Sequence, residues 1–307
     1  TYTAGTTAGS VTITPTLGGT NFSNTTSITL TPGAATQYLV TASTSSPTAG
    51  GTTTISAQLA DANDNAVSTS GETVTWSDSF SGGSFASATS TTNSSGIATV
   101  VFTTPTTVGS GTVTATTGSV TGTSATISTT PGAASALAIT TEPVGGPSGD
   151  VLSTQPVVRV IDANGNTVTG DGTTVVSATV KSGASGAVGG TTSATASSGV
   201  ASFNGLTLSG TVGTNYVLEF AASGLTSVDS ANVTVTAGAA SALAITTEPV
   251  GGTSGSALAT QPIVAVVDAQ GNTVTGDTGT VVTATIFSGS GGSLSGNDTA
   301  TTSSGVA

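Results

Sequence analysis

Short stretches of this chain alternate polar and apolar residues, and turn residues separate them. SVTIT at 10–14 and SITLT at 27–31 have the period of two expected of a strand with one buried face. The same reading predicts strands at 37–42, 53–60, 72–78, 97–103, 112–117 and 123–129. A second set follows at 136–141, 156–162, 174–180, 200–208, 216–221 and 231–236. No helical period competes with it, so the chain is all-β. Many short strands at this spacing indicate antiparallel β-sandwiches. Trp76, the only tryptophan, falls in the third strand of the first set. Phe203, Tyr216 and Phe220 supply the bulk of the second core.

The pattern is modular. GAASALAITTEPVGG occupies 132–146 and returns letter for letter at 238–252. Similar junctions, PGAA or AGAA, stand at 32–35, 131–134 and 237–240. They divide the chain into strands of an incomplete module at 1–33, complete modules at 34–132 and 133–238, and the first part of another at 239–307. The last aligns without a gap to 133–201. SSGVA at 303–307 matches SSGIA at 94–98, and writing residue 1 after residue 307 gives a nearly seamless module. Two expectations follow: a window from a longer repetitive chain, or a polymer in which residues 1–33 of one copy complete 239–307 of another.

Composition narrows the function classes. The 307 residues include 43 Gly, no Cys, no Met and no His, with only two basic residues, Arg159 and Lys181, against 14 acids. Ser and Thr make up roughly a third of the chain, far above ordinary usage. The surface is therefore hydroxyl-rich and weakly acidic. Two cations cannot neutralise a run of phosphates, so nucleic acid is not a partner. Low charge and a positive mean hydropathy of +0.29 argue against disorder. No apolar run reaches membrane-spanning length. Absence of Met and Cys removes the readily oxidised side chains and suits an extracellular protein.

AQLADANDNAV at 57–67, ETVTW at 72–76 and NSSGIATV at 93–100 resemble the bacterial immunoglobulin-like repeats of the invasin and intimin type. VIDANGN at 160–166 and VVDAQGN at 266–272 are later copies. The resemblance implies tandem immunoglobulin-like β-sandwich modules, which often bury a Trp where Trp76 stands. It also implies extracellular stalks, adhesins and fibres at the cell surface.

Candidate chemistry is sparse. Asp61, Asn63, Asn65 and Glu72 partly fit a calcium loop, with oxygens at alternate positions and a distal carboxylate. Ala66 stands where such a loop needs Gly, Asp171 and Asp277 are out of place for the role of Glu72, and the competing reading is a turn between strands. Glu142 and Glu248 beside the junctions are a second calcium candidate. The Gly-rich runs at 182–186 and 288–292 lack the Lys of a phosphate loop and read as connections between strands. N-x-S/T sequons begin at Asn21, Asn24, Asn93, Asn232 and Asn297, as chance allows in so hydroxyl-rich a chain. Without His or Cys no usual triad or zinc site can form, so no enzyme is expected. The expected role is structural, with copies of itself or neighbouring modules as partners. The alternative is an adhesin that binds glycans or a host protein through loops 79–95 or 182–198, where Phe80 and Phe85 are the available aromatics.

Overall fold

The computed structural model describes residues 3–290 and 292–307. The chain divides into two compact units, Thr1–Gly132 with Asn164–Asn166, and Ala133–Ala163 with Thr167–Ala307. Among the described residues there are strands and no α-helix.

In the first unit, strand Thr52–Ala60 pairs antiparallel with Gln37–Ala42 on one side and Ile97–Thr103 on the other. Ser84–Phe85 extends the edge. A second layer runs Thr89–Thr91, Thr73–Asp78, Val113–Thr117, Val120–Thr123. One parallel pair, Thr121 with Gln37, joins the layers. Successive side chains of a strand point to opposite faces. Ile55, Ala57 and Leu59 are accordingly buried with Val74, Trp76, Val113 and Ala115. Trp76 lies in the core as the resemblance implies, and its indole N–H donates to Ser90 Oγ at 3.0 Å.

The second unit holds an equivalent sandwich. Ala134–Thr141, Val157–Asp162 and Val200–Ser202 form one sheet. Ser193–Thr195, Val175–Ser182, Val217–Ala221 and Val228–Asp229 form the other. Phe203, Tyr216 and Phe220 are buried between them, and the two phenylalanine rings meet edge to face at 5.3 Å. The Gly-rich run at 182–186 wraps the Tyr216 ring. A Cβ on Gly183 or Gly186 would lie 2.2 or 2.4 Å from ring carbons.

Three predicted strands come out broken. The span 123–129 resolves into Val120–Thr123 and Ile127–Ser128. At the break, Ser124 Oγ accepts the N–H of Val113 at 3.0 Å, while Ser124 N–H donates to Val113 O. A side-chain hydroxyl has replaced a backbone carbonyl in the ladder. Ser230 does the same to Leu218, at 2.9 Å, and 231–236 keeps only isolated bridges. The span 200–208 divides into Val200–Ser202 and Leu206–Ser209 around Gly205, whose φ is +88°.

The remaining segments are hairpins. Gly9–Ile13 pairs with Thr26–Leu30 in the first unit. In the second, Ala242–Thr247 pairs with Ile263–Val267, and Val281–Thr283 with Thr299–Thr301. Repeat positions make an internal control. Leu137 and Leu152 are 4% and 3% exposed, whereas their counterparts Leu243 and Leu258 are 56% and 39% exposed. Leu137 and Leu152 share a core with side chains from 203–235.

The Tyr216 contact yields a test. Gly186→Ala forces a methyl group against the ring and should destabilise the second sandwich by about 1–3 kcal/mol in chemical denaturation, the usual cost of overpacking.

Candidate functional site

Asp61, Asn63 and Asn65 come together in a tight turn, closed by the Ala60–Ala66 bridge and by Val67 N–H donating to Leu59 O at 2.8 Å. Asp64 takes a φ of +63° there, a conformation that Asp and Asn tolerate better than most residues. Asp61 is buried. Its Oδ1 accepts the backbone N–H groups of Asn63 and Asn65 at 2.9 and 3.0 Å. Its Oδ2 accepts the N–H of Gly33, at the module junction, at 2.8 Å, and the Asn65 amide at 2.9 Å. The carboxylate is thus surrounded by N–H donors. Hydrogen bonds of this kind favour the charged form. The Asn65 side chain, followed by the Gly33 N–H, holds the Asp61 pKa down at about 2.

Glu72 does not join this turn's hydrogen bonds. Its backbone N–H donates to Thr92 Oγ1 at 3.0 Å, and it lines a shallow cleft with Tyr38, Thr69 and Thr117. Among the described residues no three acidic side chains converge as a metal cluster. Asp171 accepts from the backbone of Thr173 and Thr174 and from the Thr174 hydroxyl, and Asp277 accepts from the hydroxyls of Thr280 and Thr302. Glu142 is exposed and accepts the N–H of Ala231 at 3.1 Å, and Glu248 is exposed.

The turn recurs at 268–272. Asp268 Oδ1 accepts the N–H of Gln270 and Asn272, each at 2.9 Å. Its Oδ2 accepts Gly238 N–H and the Asn272 amide, each at 2.8 Å. Burial pushes the Asp268 pKa up, but the bonds from the Asn272 amide and the backbone N–H groups outweigh it and leave the group below its ordinary value. Periodicity could not reveal this arrangement. The signal lay in the shared D-x-(N/Q)-x-N spelling and in the glycine that precedes each module.

The loop aromatics turn inward. Phe85 lies 4.9 Å and Phe80 5.5 Å, between ring centroids, from the buried Phe102. Asn21, Asn24, Asn93, Asn232 and Asn297 are exposed, and Asn93 Oδ1 accepts the N–H groups of Ser95 and Ile97. Lys181 pairs with Asp229 at 2.6 Å and Glu219 at 3.7 Å on the surface. Arg159 donates to Thr167 Oγ1 at 3.1 Å.

Two solution measurements follow. A depressed carboxyl pKa contributes stability above its unfolded value, near 3.8, and loses it as pH falls through about 2. Melting temperature should therefore drop between pH 5 and pH 2, and less steeply in Asp61→Asn. Parallel slopes would remove Asp61 from the linkage. Because the Asp61 oxygens already hold N–H donors, millimolar Ca²⁺ or EDTA should shift the melting temperature by less than about 1 °C.

Residues 35–132 match the family model of invasin, domain 3. No curated protein sequence matches the chain significantly. Among solved structures, the Escherichia coli adhesin FdeC is similar over 82% of each chain, at 22% identity and a TM-score of 0.50. Yersinia pseudotuberculosis InvD is similar over 80% of this chain and 73% of its own, at 19% identity and a TM-score of 0.44. At these identities the likeness is one of fold. Family match, strand pattern and repeated turn agree: residues 35–132 match the invasin domain 3 model, and the chain's sandwiches are similar in fold to the bacterial immunoglobulin-like domains of the invasin and intimin type.

Proposed function

We propose that this chain is a load-bearing segment of a bacterial surface or extracellular fibre, in which sandwiches serve as spacers and perform no chemistry. The observation that carries this reading is the repeat itself: the same fifteen residues open two successive modules. Self-contained cores joined by short links restrict motion between neighbours. A surface of Ser and Thr keeps such a fibre hydrated with little charge.

Strand exchange between copies is a finer form of this reading: Leu243, Ile245 and Leu258 of 239–307 and Leu17 and Phe22 of the 9–30 hairpin are exposed, and strand addition at an open sheet is an established mode of assembly.

An adhesin is the second reading, favoured by the invasin match and by the likeness to FdeC, itself an adhesin. With Phe80 and Phe85 turned toward the core, glycan or protein contacts at loop 79–95 would rest on hydroxyl and amide groups.

Sedimentation and electron microscopy of the purified chain, together with glycan-array and cell-binding assays, separate these readings. Concentration-dependent filaments lost on deletion of residues 3–33 support strand exchange, and monomers at every concentration overturn it. Saturable binding to a glycan or to host cells overturns a purely structural role.

A further inference from the structure

Asn65 and Asn272 each reach beyond their own turn, in the same way. Asn65 Nδ2 donates to Thr6 O at 2.8 Å, and its Oδ1 accepts the N–H of Ala8 at 2.7 Å. Asn272 Nδ2 donates to Gly210 O at 2.9 Å, and its Oδ1 accepts the N–H of Val212 at 2.8 Å. Asn166, grouped with the first unit, makes the same pair with Thr106 O at 2.8 Å and Val108 N–H at 3.0 Å. Each time the amide takes the carbonyl of one residue and the N–H of the residue two further on. A side-chain amide carries both a donor and an acceptor, so it can satisfy such a pair as a β-strand rung would. The receiving loops share a spelling: TTAG at 6–9, TTVG at 106–109 and GTVG at 210–213. They lie 57, 58 and 60 residues before their asparagines.

The aspartate of the turn completes the arrangement. Asp61 and Asp268 hold the N–H of the linker glycines Gly33 and Gly238. Asp268 also accepts the Asn272 amide, and Asp61 that of Asn65. Linker, turn and preceding loop are therefore bonded through two side chains. At the later junction Ser148 Oγ adds bonds to Gly210 O at 2.9 Å and Gln270 Oε1 at 3.1 Å, and a Cβ on Gly238 would lie 2.4 Å from Ser148 O.

We infer that the D-x-(N/Q)-x-N turn is an inter-module latch whose partner is the x-T-(A/V)-G loop of the preceding repeat, and that within each unit, through Asn65 and Asn272, it sets the orientation of 34–132 on 1–33 and of 239–307 on 133–238. The spelling that resembles a calcium loop serves this purpose, with N–H groups in place of the cation. The latch holds whether the chain acts as a spacer or as an adhesin.

Hydrogen exchange and residual dipolar couplings on the full chain test it. In Asn65→Ala the Ala8 amide, and in Asn272→Ala the Val212 amide, should exchange at least about tenfold faster while core amides keep their protection. In Asn272→Ala, couplings from 133–238 and 239–283 should cease to fit one alignment tensor. Unchanged exchange at Ala8 and Val212, with a single tensor retained, overturns the latch. Asn272 is buried, so Val212→Pro, which removes the donor and leaves the turn intact, gives an independent reading. One tensor retained in that variant overturns the latch equally.

Discussion

Ile55, Ala57 and Leu59 on strand Thr52–Ala60 face Val74, Trp76, Val113 and Ala115 across an apolar interior, and the rest of the first sandwich depends on that contact. With two cations in 307 residues, ion pairs contribute almost nothing. There are no disulfides to restrain the unfolded chain. Stability must come from apolar side chains closed between two hydrogen-bonded layers, and from satisfying every backbone group that the closure buries. Leu137 shows that dependence: it is buried because side chains from 203–235 close over it.

The second requirement explains the polar residues. Asp61 and Asp268 neutralise clusters of backbone N–H groups where strands turn, and Ser124 and Ser230 stand in for carbonyls where ladders break. These are side chains a sequence reader associates with metal binding or simply with surface. In the structure they do the work of backbone. A hydroxyl-rich chain can therefore be well folded: its short polar side chains complete the hydrogen bonding of the sheets as well as facing water.

Function follows the same economy. Both aromatic clusters, Phe80–Phe85–Phe102 and Phe203–Phe220, pack in or against the cores. What repeats is the interval between junctions and the turn beside each junction. That pattern supports the proposed spacer role, and adhesive contacts would have to be built on loops of small hydroxyl side chains.

Much of this was legible in the sequence. Period-two alternation located strands such as Gln37–Ala42 and Ile97–Thr103, because a half-buried sheet imposes that period directly on residue choice. Their bulk placed Phe203, Tyr216 and Phe220 inside, and the resemblance implied a buried Trp76. The repeats suggest where modules join, and the resemblance implied the module family. The partners of Asp61 and Asn65 were not legible: Gly33 and Thr6 lie 28 and 59 residues away, and nothing local distinguishes a carboxylate that binds a cation from one that binds N–H groups. Strand breaks at Ser124 and Ser230 were hidden for a like reason, since a hydroxyl replaces a ladder carbonyl only once the neighbouring strand is in place. Local chemistry writes periodicity and turns into the chain, whereas the pairing of distant donors and acceptors exists only after the layers have closed.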